Sequence, residues 1–343
     1  MKKVLATGLV GVMSMTALVG CGSKDSKDSS TGDSVKIPSE PIEIAKMASE
    51  RTAKLDSYEL NGKLNFDISA AGETVKATAD MNAVYFKDPM KMKMDMKMVN
   101  NDENAKEDEK EMNVSMYFMK EDDTYVIYAG LGAEGQTSWV KMGLDPSETN
   151  QKQLIDALDV ACKSDSKNTE DAWKGMEDCL SLDKENNTDD ATALLVSVTA
   201  DQIKKAYEEG AKADKTAATS AETSLAQVGM TTDDLFEALG TISVNMSVNT
   251  DQVYWKSIKM DLAKPAQGLI DSIMSKAMKM YGAYAEDVDT SAFEIKISAC
   301  DFELNYDKYN KASDFEIPEE AKNAKEINLT EYLTGASAAA LQQ

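Results

Sequence analysis

The stretch Met90–Met98 reads MKMKMDMKM, a methionine at every second position with lysine or aspartate between. A period of two belongs to a β-strand with one apolar and one solvated face. The same alternation runs outward from it in both directions. Tyr58, Leu60, Gly62, Leu64, Phe66 and Ile68 alternate with polar residues, and after a turn at Gly72 so do Val75, Ala77, Ala79, Met81, Ala83 and Tyr85. Beyond the charged stretch Asn100 to Glu111 come Met112, Val114, Met116 and Phe118, then shorter strands at Thr124 to Ala129 and Trp139 to Met142. Long alternating strands joined by short polar turns predict an antiparallel meander.

The remaining segments supply cover for that sheet. Ile44, Met47, Ala48, Arg51 and Leu55 fall at helical spacing and place a helix over 41–55. Residues 146–182 depart from strand alternation and predict a helical insertion, one helix with Leu154, Ile155, Leu158 and Cys162, a second around Trp173, Met176 and Leu180. After a strand at Ala193 to Val198, Thr199-Ala200-Asp201-Gln202 is a capping box opening a helix, and Thr232 is placed as the cap of a short one ending near Leu239. A hairpin over 242–262 and a long amphipathic helix after Pro265 follow. In the last strand the apolar set moves from odd positions (Phe293 to Ala299) to even ones (Cys300 to Tyr306), which predicts a β-bulge near Ala299-Cys300. The fold class that satisfies these pieces is α+β: a large curved antiparallel β-sheet, an incomplete barrel, with amphipathic helices covering its apolar face and a wet polar face.

The N-terminus addresses location. Met1-Lys2-Lys3, an apolar run Val4 to Ala17, and Leu18-Val19-Gly20-Cys21 stand in the order of a lipoprotein signal. The apolar run is shorter than the ~20 residues needed to span a bilayer. The expectation is a signal peptide over 1–20, a diacylglyceryl group on Cys21 as membrane anchor, and a flexible tether to about residue 40. One domain over 41–325 and a tail over 326–343 complete the division.

Composition excludes several functions. The formal charge is −23, so polyphosphate is repelled and no nucleic-acid partner is expected. There is no histidine, which removes the commonest general base and zinc ligand and every Ser-His or Cys-His pair. No nucleotide loop or nucleophile elbow is present, so no catalytic residue, cofactor or metal is assigned, and a monomer is expected. Of the four cysteines, Cys162 and Cys179 either form a disulfide after export or are, with Cys300, small buried apolar residues.

Several of these segments, taken together, resemble a known kind of protein. Leu55-Asp56-Ser57-Tyr58, Pro89-Met90-Lys91-Met92, Trp139-Val140-Lys141-Met142 and Tyr309-Asn310 with Phe315-Glu316-Ile317-Pro318-Glu319-Glu320-Ala321 are similar to the LolA/LprG-like lipoproteins, in particular an uncharacterised family from Gram-positive anaerobes. The resemblance covers roughly residues 41–325 and implies a half-barrel lidded by helices, with a hydrophobic cavity for acyl chains or another apolar ligand. It supplies no catalytic residues, and the cysteine-bearing segment 146–182 departs from its pattern.

The methionine row has three readings. Thioethers suit Cu(I), but alternate residues on one strand lie ~7 Å apart and no histidine completes a set. A plain sheet face is the commonest meaning of alternation. Methionine is also the adaptable residue of surfaces that meet varied apolar partners, and nine of the 21 methionines fall between Met81 and Met119. Leu60, Leu64, Phe66, Ile68, Met92, Met94, Met96, Met98, Met112, Met116 and Phe118 are therefore the candidate wall of a ligand cavity. The acidic run Glu121-Asp122-Asp123 lacks the alternating oxygen ligands and glycine of a calcium loop. The expected function is a membrane-anchored, non-enzymatic lipoprotein that binds or carries a lipid or similar hydrophobic molecule. The alternative is an interaction or scaffold module of the cell envelope with a filled core.

Overall fold

A computed structural model describes residues 35–70, 73–101, 110–121, 124–133, 136–145, 147, 151–152, 155, 173–213, 219, 222–223, 225–226, 229–281 and 294–327. The strands are β1 (Ser57–Ala70), β2 (Glu73–Phe86), β3 (Lys91–Asn100), β4 (Glu111–Glu121), β5 (Thr124–Ala133) and β6 (Gln136–Gly143). They continue with β7 (Leu180–Leu182), β8 (Ala191–Val198), β9 (Ile242–Asn249), β10 (Trp255–Asp261), β11 (Ile295–Asp307) and β12 (Lys325–Glu326). The helices are α1 (Pro41–Thr52), α2 (Ala200–Ala213), α3 (Thr232–Leu239), α4 (Ala263–Tyr281) and α5 (Glu319–Lys322).

All twelve strands share one sheet, in the order β12-β6-β5-β4-β3-β2-β1-β11-β10-β9-β8-β7. Two meanders are thus sewn together where β1 pairs with β11, and only the β12–β6 pairing is parallel. The sheet curls. One buried cluster lines its concave face from Val114 and Met116 of β4, through every intervening strand, to Leu180 of β7. Ile44, Ala45 and Ala48 of α1 belong to the same cluster and are almost completely buried. Chain entry is part of this core too, because Val35 and Ile37, placed in the tether by the sequence, pack against it.

α1 is held by hydrogen bonds as well as by burial. The buried Thr52 hydroxyl accepts the backbone N–H of Trp255 at 3.0 Å, and the Ser49 hydroxyl accepts the indole N–H of both Trp173 and Trp255. These polar atoms would be costly to bury unpaired.

The bulge expected in the last strand is present. Phe66 lies opposite Cys300 and Asp67 opposite Ala299, but Ile68 lies opposite Ile297, so Ser298 is the extra residue. The capping box at Thr199 and Gln202 is present as well.

Three expectations need correction. Trp173 to Leu180 forms a turn and a 3₁₀ turn (Glu177–Cys179), and Leu180 and Leu182 then pair with Val196 and Leu194 as edge strand β7. The end of 146–182 therefore belongs to the sheet, because alternate apolar residues beside an open edge pair with it more readily than they nucleate one helical turn. The cap of α3 is Thr231, whose side chain and backbone exchange hydrogen bonds with Asp234. The convex face is not uniformly wet. Tyr117, Val126 and Tyr128 point outward from β4 and β5 and are buried with Ala321, against Trp139, Phe315 and Ile317.

That outer cluster is covered by the chain after β11, a strap over 308–327. Ser313 N–H and the Lys308 ammonium bond Glu59, Lys91 pairs with Asp314, and Phe315 lies against Phe86 and Tyr117. The strap ends as β12 on the edge of β6, with Ile327 N–H donating to Lys141 O. All four segments that carried the family resemblance meet along this path. Asp56 N–H donates to the Asn310 side chain, Asn310 N–H donates to Ser57 O, Lys91 bonds the strap, and Trp139 packs against its cluster.

Candidate functional site

Register fixes which side chains share the concave face. Leu60 lies opposite Ala83, Ala83 opposite Met94, and Met94 opposite Met116, so even positions of β1, β3 and β4 and odd positions of β2 face inward. The same ladder carries inward through Leu304 and Phe302 of β11, Ile258 and Met260 of β10, and Met246 of β9.

Along that face, burial changes from one end of the strands to the other. Near the start of β1, packed around α1, Leu60 is 5 % exposed, Met94 3 % and Met116 2 %. Met96 is buried there too, whereas Phe118 is buried in a separate cluster with Tyr125, Leu144 and Ile155. Toward the far end, Leu64, Phe66 and Ile68 of β1, Met98 of β3 and Met112 of β4 are only half-buried. Val75, opposite Ile68, reaches 41 % exposure, and Leu131, inward on β5 opposite the buried Val114, reaches 43 %. The concave face is thus closed at one end and open at the other.

The predicted wall residues accordingly divide into groups. Leu60, Met94, Met96, Met116 and Phe118 are core. Leu64, Phe66, Ile68, Met98 and Met112 line the open end, where Met98 and Met112 lie directly opposite each other across β3 and β4. Met92 sits apart, half-buried beside Phe118, Tyr125, Leu144 and Ile155. Sequence reasoning missed Val75 and Leu131 as members of the lining, although their parity in alternating strands carried the signal.

Strands β8–β10 do not reach the open end, and helices take their place. β10 stops pairing at Asp301, leaving Ile295 to Ala299 of β11 with a bare edge. Gln267 of α4 meets that edge: its amide nitrogen donates to Ile295 O at 2.9 Å and its oxygen accepts Ile297 N–H at 2.6 Å. One side chain thus makes the two bonds that a neighbouring strand would make. α4 is braced by α3, with Lys276 bonded to Asp234 and Gly268 set against the Ala238 carbonyl, too close for a side chain. Leu269, Ile270, Ile273, Met274 and Ala277 of α4 are only half-covered.

The electrostatics suit an apolar occupant. Apart from Glu73 at the start of β2, the inward strand positions of the open end carry no ionisable carboxylate or amine among the described residues. Cys300, inward beside the bulge, has a free thiol whose pKa burial pushes up, helped by Asp301 and Asp261. Burial raises the Tyr306 hydroxyl well above its ordinary value, with Tyr58 and Tyr309 adding to the shift. Such groups stay neutral at physiological pH. Among the described residues no cluster of three or more His, Cys, Asp or Glu could hold a metal. Cys179 is buried with a free thiol, whereas Cys162, its expected partner, lies outside the described residues, as does Cys21. No described helix is long and apolar enough to cross a membrane.

Fold and site together define an α+β half-barrel, closed at one end by a helix and open at the other onto apolar side chains. The chain belongs to a family of unknown function (DUF6612), which matches residues 41–286. No curated protein matches it.

Proposed function

We propose that the protein is a lipid-anchored, non-enzymatic lipoprotein of the extracytoplasmic face that holds the apolar part of an amphiphile at the open end of its half-barrel. The observation that carries this reading is the incomplete burial of inward-facing apolar residues from Leu64 to Leu131, in a sheet whose other end is fully packed. Folding that gathers apolar side chains on a concave face and leaves them half-covered forgoes a hydrophobic gain that a ligand can restore. Leu64, Phe66, Ile68, Met98 and Met112 would form the contact, the paired methionines adapting to chains of different shape. The resemblance to LolA/LprG-like lipoproteins and the sequence around Cys21 support the same reading.

The test is native mass spectrometry of the mature chain with Cys21→Ser, purified from cells without delipidation. The expected result is an added mass that organic extraction removes and lipid analysis identifies as an amphiphile. Only unliganded protein overturns the ligand. Anchoring is checked separately, by the mass of the N-terminal peptide from membranes: an unmodified Cys21 overturns it. A second reading, an interaction module, draws on the packed end, where Met94, Met96 and Met116 fill the interior.

A further inference from the structure

One level of the convex face departs from the rest of it. Register sets Trp139 of β6, Gly130 of β5, Ser115 of β4, Asp95 of β3, Asn82 of β2, Asn61 of β1 and Asn305 of β11 side by side across adjacent strands. The next level toward the open end has the ordinary solvated pattern of this chain, Lys97, Asp80, Lys63 and Glu303. Asparagine, aspartate and glycine are disfavoured in strands, yet they hold this one level on β11, β1, β2, β3 and β5. A local preference broken repeatedly in one place marks a surface kept for function.

The level is also built as a groove. On its other side the strap lies over the adjoining level, where it meets Glu59, Tyr117 and Tyr128. Each of these is two residues, or about 7 Å, along its strand from Asn61, Ser115 or Gly130. Trp139 closes one end. Its half-exposed ring lies so near Gly130 that a Cβ there would stand 2.8 Å from it, so only glycine admits the ring. Along the floor, the Asp95 carboxylate is neutralised, accepting the Ser115 hydroxyl at 2.8 Å and pairing with Lys93 at 2.8 Å. Asn61 and Asn82 are exposed, and among the described residues neither their amides nor the Trp139 indole N–H has a hydrogen-bond partner.

We propose that this groove binds a linear, uncharged glycan. Carboxamides and hydroxyls both donate and accept hydrogen bonds, which matches sugar hydroxyls, groups that do the same. The Trp139 ring offers a flat apolar face on which a sugar ring can lie, with its N–H free for a polar contact. From Trp139 to Asn305 the level crosses six strand spacings, about 29 Å, room for several consecutive sugar rings. Charge selects the same partner, because a chain of net charge −23 repels nucleic acid and acidic polymers but not a neutral one. An added peptide strand is not favoured here, since the backbone groups beneath the groove are already paired within the sheet and only side chains face out. The site is separate from the amphiphile proposed for the concave face and does not depend on it.

The experiment titrates the mature Cys21→Ser chain with two soluble neutral probes, the hexasaccharide of N-acetylglucosamine and cellohexaose, followed by calorimetry and by NMR of the side-chain N–H groups. The expected result is a Kd of about millimolar or tighter for at least one of them, with shifts at the Trp139 indole and the Asn61 and Asn82 amides. The double variant Asn61→Val, Asn82→Val removes both amides at exposed positions and supplies side chains that strands favour, so its melting temperature is kept while binding falls at least about tenfold. Met98→Ala with Met112→Ala, on the concave face, leaves sugar binding unchanged. Binding of neither hexasaccharide by the parent chain, or equal binding by the asparagine variant, overturns the groove. Binding lost in the methionine variant and kept in the asparagine variant moves the sugar to the concave face and overturns it as well.

Discussion

The Thr52 hydroxyl accepts the Trp255 N–H at a point where both residues are almost fully buried, joining α1 to β10 across the concave face. Thr52→Val keeps the shape and removes the acceptor, leaving a buried N–H without a partner. A loss of about 1–3 kcal/mol in urea unfolding is expected; no loss would mean that water or another group takes over. The methionines separate by burial in the same way. Met94→Ala empties a site with 3 % exposure and should cost about 2–5 kcal/mol. Met98→Ala together with Met112→Ala, in half-buried positions, should cost clearly less stability per residue while lowering occupancy by co-purified amphiphile. Reversal of that pattern would place the ligand at the packed end. The row was legible as a strand face because period two is a local property. Its division into core and lining was not, since burial at each methionine is set by α1 and by strands far away in sequence.

At the scale of elements, the strap and the cap of α3 make separate predictions. Phe315 joins Phe86 and Tyr117 on the convex face, and Phe315→Ala should destabilise the protein by up to about 3 kcal/mol. It should also raise hydrogen exchange in β4 and β5; exchange unchanged there would show that the strap is mere decoration. That β5 has cover on its outer face was legible locally, although which distant segment supplies it was not. Tyr125-Val126-Ile127-Tyr128 is an unbroken apolar run, and such a strand is buried on both faces. In α3, Asp234 accepts from Lys276 and from Thr231, and these bonds lower its pKa to about 2. The folded value lies below the ordinary 3.8, so the carboxylate stabilises the cap above about pH 4, and that contribution is lost as pH falls through about 2. A carboxyl chemical-shift titration should place the midpoint near that value, and Lys276→Met should raise it; an unshifted midpoint in the parent chain would remove the cap from the account. The exact capping threonine was not legible, because Thr231 and Thr232 offer equivalent hydroxyls and only the approach of the chain selects one.

For the whole molecule, a charge of −23 on the chain opposes compaction. Lysine–carboxylate pairs such as Lys97–Glu111, Lys76–Asp67 and Lys259–Glu303 bridge neighbouring strands on the solvated face, but exposed pairs contribute little each. Self-repulsion therefore dominates, and adding salt from low ionic strength should raise the melting temperature. A fall would mean that the ion pairs outweigh the net charge.

Local pattern determined most of the elements: long alternating strands, the helix before them, the bulge at the change of phase and the capping box at Thr199 all follow from the nearest few residues. The sequence also determined the absence of histidine chemistry and an acidic surface. Tertiary structure alone decided which faces are covered. The sewing of β1 to β11, the strap over Tyr117 and Tyr128, and the replacement of a missing strand by Gln267 all join residues remote in the chain. Side-chain alternation specifies that a strand has two faces, and only the packing of distant elements specifies what each face meets. For the methionines of MKMKMDMKM, the answer is the protein's own core at Met94 and Met96 and an open, half-covered end at Met98.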